Sequence, residues 1–293
     1  MKGLCDLGYS EREACRLVGM QRSTYRHQQH RPVTNSEVRR ILLADTISRV
    51  HAESRSTYGY RRLTAALRID EGLIVNKKLV SRLMRELGLV GLPKKRSRKR
   101  VPASPATNDD LVQRAFHAAA PNELWLTDVT EHPTREGVLF CCAVLDQCSR
   151  RVVGWSIDRR NDSNLVNDAL TMAARSRATT PATILHSDHG SNFTSWAFSE
   201  NLRHHQLLGS MGTIGDCYDN APMESFWGSL QIEVLDRQAW MTRVELAHAI
   251  ADYIVNFYNP RRRHSSLDYL TPDEFEGLWF PQQLATSVIT VDR

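Results

Sequence analysis

Three carboxylates in this 293-residue chain, Asp128, Asp188 and Glu224, fall where acidic side chains can act together. Asp128 lies near the end of "ELWLTDVTEH", a strand pattern of period two that puts Leu124 and Leu126 on its own face. Asp188 closes "TILHSD" and is followed by "HGSNF", a turn rich in Gly and Ser. In an open α/β sheet, ligands gather at the carboxyl ends of the strands. Glu224 falls just inside a helix that Asp219 or Asn220 can cap and whose first turn accepts Pro222. Each carboxylate alone has an ordinary explanation: an aspartate near a strand end commonly forms a turn, and a glutamate in a first helical turn suits the helix dipole. Together, hard oxygen donors on two strand ends and one helix can converge on a pair of divalent cations, Mg²⁺ or Mn²⁺. Two such ions stabilise both the attacking and the leaving oxygens of a phosphodiester displacement.

The elements that must carry these residues begin near Asn122. "ELWLTDVTEH", "GVLFCCAVLDQCS" and "RRVVGWSIDR" read as three successive strands, followed by a helix in "SNLVNDALTMAARSR", a strand in "ATILHSD", a helix in "TSWAFSENLRHH" and a strand in "LLGSMGTI". Helices near 221–235 and 242–258 complete the order, which predicts an α/β domain with a mixed sheet. In the first of these two helices Met223, Phe226, Trp227, Leu230 and Val234 form a buried stripe, and Glu224 and Gln231 lie along its border. Asp146 in "VLDQCS" reads as structural rather than as a fourth ligand. His186 and His189 flank Asp188, close enough to touch DNA. Six cysteines show no Cys-x-x-Cys pair and read as reduced thiols, with Cys141 and Cys142 as small buried hydrophobes.

Charge separates the two ends of the chain. Residues 1–101 hold 23 Lys and Arg against 9 Asp and Glu, whereas the remainder holds 15 against 24. A basic front half points to a polyanion, and DNA is the natural one because phosphate neutralisation releases counterions. The front half reads as helical: a capping box at Ser10 and Glu13 opens a helix that Gly19 ends, "RSTYRH" follows, and further helical patterns occupy 36–52, "YGYRRLTAAL" and "VNKKLVSRLMRELGL", the last with Asn76 as N-cap. Between the halves, "LPKKRSRKRVPASPATNDD" carries six basic residues among the seven from Lys94 to Arg100 and cannot bury apolar surface, so it reads as a phosphate-tracking linker. No run is long and apolar enough for a membrane helix and the first residues are charged where a signal peptide would be apolar, which predicts a cytoplasmic location.

"WLTDVT", "HSDHGSNF", "DNAPMESFWGSL" and "YNPRRRHSSLDYLTP", in that order and with 35 residues between Asp188 and Glu224, resemble the catalytic core of retroviral-integrase-like transposases, most closely the OrfB proteins of bacterial insertion sequences of the IS-three family. "STYGYRRLTAAL" and "VNKKLVSRLMRELGL" are similar to that family's helical DNA-binding region, so the resemblance spans nearly the whole chain. It implies a ribonuclease-H-like α/β core preceded by an all-α helix-turn-helix region, with an Asp, Asp, Glu triad at Asp128, Asp188 and Glu224 that holds Mg²⁺ or Mn²⁺, two ions in all. The implied activity is cleavage at element ends and strand transfer into target DNA. The expected organisation is a DNA-binding region at 1–92, a basic linker at 93–118, the catalytic core at 119–282 and a tail at 283–293. DNA contacts are expected from Arg61, Arg62, Lys77 and Lys78, from Lys94, Lys95, Arg96, Arg98, Lys99 and Arg100, and from Arg261, Arg262 and Arg263. The implied partners are the element's terminal repeats, target DNA, further copies of the chain and the product of an upstream reading frame, joined by frameshifting, in a bacterial nucleoid. One position departs from the family pattern: Gln231 stands seven residues after Glu224, where a Lys or Arg is usual and would hold DNA. That departure gives weight to an alternative, a catalytically impaired protein that occupies element ends.

Overall fold

The computed structural model describes residues 2–92, 118–177, 182–188, 190–211 and 221–289. The chain divides into two compact units, Met1–Arg49 and Val50–Arg293. In the first unit, α1 (Lys2–Asp6) precedes α2 (Glu11–Leu17) and α3 (Arg22–His30). The expected capping box opens α2: the Ser10 side chain accepts from the Glu13 backbone N–H, and the Glu13 carboxylate accepts from the Ser10 N–H. Helix α4 (Asn35–Glu53) begins in this unit and continues into the second.

The second unit starts with α5 (Tyr60–Ile69) and α6 (Lys77–Glu86), which pack together through Leu63, Ala66, Leu67, Val80, Leu83 and Met84. Asn76 caps α6 by accepting from the Lys78 N–H, as the sequence predicts. Lys94 to Arg100 lie outside the described residues.

The rest of the second unit contains β1 (Leu124–Thr134), β2 (Gly137–Asp146), β3 (Val152–Asp158), α7 (Ser163–Ser176), β4 (Ile184–Ser187), α8 (Trp196–His204), β5 (Leu208–Met211), α9 (Ala221–Glu233), α10 (Arg243–Asp252) and α11 (Pro272–Ile289). The strands form one sheet in the order β3-β2-β1-β4-β5. The first three are antiparallel neighbours, while β4 runs parallel to both β1 and β5, so the sheet is mixed. Hairpins suffice for the antiparallel pairs, whereas α7 and α8 make the crossovers that parallel pairs require.

Alternation along the strands assigns the two faces. Trp125, Cys142, Val144, Val153 and Leu185 pack against Leu165, Val166, Ala169 and Leu170 of α7 and against Phe198 and Leu202 of α8. On the opposite face α9 crosses β1 and α10 crosses β2. Helix α7 approaches β3 so closely that a Cβ on Gly154 would collide with the Ala169 carbonyl and with Ala173. Beyond α10, Tyr253–Tyr258 winds as a π-helix where the sequence predicts continuous α-helix, and this winding buries Tyr253, Ile254, Phe257 and Tyr258 together. Helix α11 runs on to Ile289, through the position where the sequence suggested a tail.

Candidate active site

Strand register brings the two aspartates level. Leu126 pairs with His186 across the parallel β1 and β4 strands. Asp128 lies two residues further along β1 and Asp188 immediately past the end of β4, so the two come from adjacent strands, about 4.8 Å apart, close to the level where the parallel ladder ends. Helix α9 crosses β1. Met223, Phe226 and Leu230 anchor the helix, while Glu224 in its first turn stays exposed.

Asp128 is the most constrained of the three. Its Oδ1 accepts from the Val129 N–H at 2.8 Å, and its Oδ2 accepts from the Trp227 indole Nε1–H at 3.0 Å. Burial pushes its pKa up to about 6, and the nearby charges of Asp188 and Glu224 add to that rise while the two hydrogen bonds oppose it. The same two aspartates raise the buried Cys142 thiol, whose main cause is burial. Asp188 is exposed and accepts from the Gly190 N–H at 3.0 Å, which turns the chain away from the strand end. Among the described residues, no three His, Cys, Asp or Glu side chains already stand in ligating positions. Asp128 nevertheless feels both other carboxylates, and such a set of hard oxygen donors fits a divalent cation.

Other residues expected at the site resolve differently. Asp146 is fully buried and accepts from the Asn122, Cys148 and Ser149 N–H groups, which makes it the structural residue the sequence suggested. His186 does not face DNA: it is 1% exposed and its Nδ1 shares a hydrogen bond with Ser210 Oγ on β5. His189 lies outside the described residues, as do Asp219 and Asn220 at the start of α9. Gln231 lies two turns beyond Glu224, and its Nε2 donates to the Asp236 carboxylate. Arg61, Lys77, Lys78 and Arg261 are exposed, and Arg62 is half-buried.

Arg262 and Arg263 correct the sequence expectation. Arg262 is 4% exposed, and its guanidinium makes a bidentate pair with Glu233 of α9, with Nε and Nη2 both donating to the carboxylate. Tyr253 donates a further hydrogen bond to Glu233 at 2.8 Å. Burial opposes both charges, yet the pair outweighs it: Glu233 stays below the usual carboxylate range and Arg262 is held charged. Arg263, 3% exposed, pairs with Asp70 and Glu274. Neither side chain reaches solvent to hold a phosphate. Asn259 of the same motif is structural too: it hydrogen-bonds both the N–H and the C=O of Val152, and so pairs the edge strand β3. A sequence shows these basic residues, but the carboxylates that neutralise them come from distant positions.

Trp227 is the site residue the sequence missed, since its spacing assigns it to the apolar stripe. Its indole N–H is the polar end of a half-buried ring and here finds the Asp128 carboxylate.

The mixed five-stranded sheet with helices on both faces is that of an integrase-type catalytic core, a polynucleotidyl transferase of ribonuclease-H-like fold. Residues 118–217 and 206–272 match integrase core domain families, and residues 37–97 match an HTH-like domain. The chain is 36% identical, over 84% of its length and 98% of the relative's, to the transposase for insertion sequence element IS904 of Lactococcus lactis. It is 34% identical, over 92% of its length and 94% of the relative's, to transposase InsF for insertion sequence IS3A of Escherichia coli. The chain belongs to the IS3 family of insertion-sequence transposases.

Among solved structures, the HTLV-2 integrase catalytic core domain in complex with magnesium covers 53% of this chain and 97% of that one at 20% identity, with a TM-score of 0.41. A simian T-cell lymphotropic virus intasome covers 78% of this chain and 73% of that one at 13% identity, with a TM-score of 0.46. The integrase core and HTH-like domains make DNA the protein's partner, and DNA transposition its function. The integrase core family is divalent-metal dependent. No helix among the described residues is long and apolar enough to cross a membrane.

Proposed function

We propose that Asp128, Asp188 and Glu224 form one catalytic centre that cuts the ends of the element encoding this chain and joins them to target DNA. The observation that carries this reading is the shared level of Asp128 and Asp188 on adjacent parallel strands, with the Glu224 helix laid across them and Asp128 electrostatically linked to both. The three carboxylates would hold two Mg²⁺ or Mn²⁺ ions, which when bound offset charge on the attacking and leaving oxygens.

The residues of the chain set the geometry. Trp227 and the Val129 N–H fix both oxygens of Asp128, so its carboxylate enters the site preorganised. In cleavage, a water oxygen attacks phosphorus and the bond to the 3′-oxygen breaks, freeing a 3′-hydroxyl. In strand transfer that hydroxyl attacks a target phosphodiester, one P–O bond forming as another breaks, without a covalent protein intermediate. Arg61, Lys77, Lys78 and the basic linker from Lys94 to Arg100 would hold the DNA backbone, with Arg261 and Gln231 as further contacts. The protein would act as an oligomer on DNA, with an upstream reading-frame product fused by frameshifting, in the bacterial cytoplasm.

Strand transfer by the purified chain on a duplex bearing its element's terminal repeat, with and without the upstream product, tests this reading. Metal-dependent joined products are expected. Specific end binding without any cleavage under either condition would instead favour a DNA-binding protein that only occupies element ends.

A further inference from the structure

Beside the catalytic centre, a cavity of about 350 Å³ opens between the start of α5, the exposed side of α9 and the Arg262–Ser266 segment. Ser225, Gly228 and Ser229 of α9 form one wall. Gly228 follows Glu224 by four residues, about 6 Å of helix rise. A strand of DNA that runs along α9 from Glu224 would meet the mouth of this cavity within that distance.

The charge around the cavity does not balance. Its lining includes Arg61, Arg62 and Arg262 but, among the described residues, one carboxylate, Glu233. Glu233 is already taken by Arg262 and Tyr253. Arg62 reaches it only at 3.6 Å, too far for a hydrogen bond, and among the described residues donates no other. Its guanidinium lies 5.8 Å over the Tyr58 ring, which orients the group without using its N–H donors. Burial and then the repulsion of Arg262 act against its charge and outweigh the attraction of Glu233. His264 in the same wall is 9% exposed, its Nε2 has no hydrogen-bond partner among the described residues, and burial followed by the charges of Arg262 and Arg62 keeps it neutral. Arg62 thus shares its one carboxylate, Glu233, with Arg262, and a half-buried guanidinium with open donors and a shared counterion is suited to an anion.

We propose that this cavity is a subsite for one backbone phosphate of the DNA strand held at the Glu224 centre, with Arg62 as its direct ligand, Arg61 at its rim and the buried Arg262 as a fixed positive charge beneath it. The subsite rests on the proposed function, because it needs DNA to lie along α9. It also gives Arg62 a role in the catalytic half of the protein rather than in the reading of sequence by the helical region.

The experiment measures binding of the full chain to a fluorescent duplex carrying the element end, in EDTA, across a range of salt. Gly228→Glu places a carboxylate in the cavity without touching Glu233, and Gly228→Gln is its neutral control; a Cβ at this position meets nothing within 4 Å. At low salt Gly228→Glu is expected to bind about tenfold more weakly than Gly228→Gln, and Arg62→Gln to lower the salt slope by about 0.9, the loss of one phosphate contact. Single neutral methylphosphonate linkages should then locate one position that weakens the wild-type chain and leaves Arg62→Gln unaffected. Equal binding by the two Gly228 variants, or no linkage that distinguishes wild type from Arg62→Gln, overturns the subsite while end binding stands. Absence of wild-type binding overturns the parent reading as well.

Discussion

At the scale of single residues, the chemistry depends on how Asp128 is held. Its hydrogen bond to Trp227 ties this β1 carboxylate to the helix that carries Glu224. Trp227→Phe keeps the ring and removes the donor, so it should raise the Mn²⁺ concentration needed for binding by about ten- to a hundredfold, the usual cost of losing an outer partner of a metal ligand. Electron paramagnetic resonance of bound Mn²⁺ measures this without turnover. The pKa of Asp128, raised to about 6 from an ordinary 3.8, sets a pH dependence. The metal-free fold holds a proton there that the unfolded chain releases between those values, so this residue makes stability fall as pH rises from about 4 to 6. Metal must displace the same proton, and Mn²⁺ affinity should weaken by up to about tenfold per pH unit below 6. Affinity that is flat from pH 7 to pH 5 would remove Asp128 from the ligand set. The sequence placed Asp188 at a strand end and Glu224 in a first helical turn, as the structure has them. It put Asp128 near the end of its strand, whereas β1 runs on to Thr134 and holds Asp128 in its middle, because a run of polar residues on a half-exposed strand looks like the strand's end. Trp227 was not legible, because the same spacing that buries a tryptophan hides where its N–H points. Arg262 and Arg263 misled because a basic run looks the same whether its carboxylate partners are absent or, like Glu233 and Asp70, far away in sequence.

At the scale of elements, alternation and helical period located the strands and helices that build the site. Five strands in a mixed sheet were legible, since buried runs of Val, Leu and Cys bounded by turns specify β2 and β3, and polar residues near its end mark β1. Pairing was not: that β1 sits between β2 and β4, and so brings Asp128 beside Asp188, follows from crossovers and not from local pattern. The close seat of α7 on β3 was equally hidden, since Gly154 reads as a weak point in a strand until the helix is in place. Gly154→Ala forces a methyl group into Ala169 and Ala173 and should destabilise the core by about 1–3 kcal/mol in denaturant unfolding. An unchanged midpoint would show that the helix yields at no cost. The π-helical turn at Tyr253–Tyr258 gathers Tyr253 and Tyr258 against Phe226 and Arg262, and periodicity of 3.6 alone gave no sign of it.

At the scale of the second unit, buried polar links join the α5–α6 region to the catalytic core. The Tyr58 hydroxyl donates to the Arg261 carbonyl and accepts from the Arg263 N–H, both at 2.8 Å. Arg263 reaches Asp70 at the end of α5, and Glu233 of α9 lies between Arg262 and Arg62. The carboxyl-terminal basic motif thus clamps the helices matched by the HTH-like family to the helix that carries Glu224. Glu233→Gln leaves the buried Arg262 charge without its partner, and a loss of about 3–5 kcal/mol in unfolding free energy is expected. A loss below about 1 kcal/mol would show that solvent reaches this pair and that the clamp is weak. The account as a whole depends on three carboxylates acting as one centre. The most direct measurement is strand transfer on an element-end duplex in Mg²⁺ by Asp128→Asn, Asp188→Asn and Glu224→Gln, each checked for retained DNA binding. The account predicts that every one loses joined product while still binding the duplex; near wild-type joining by any of the three would contradict it.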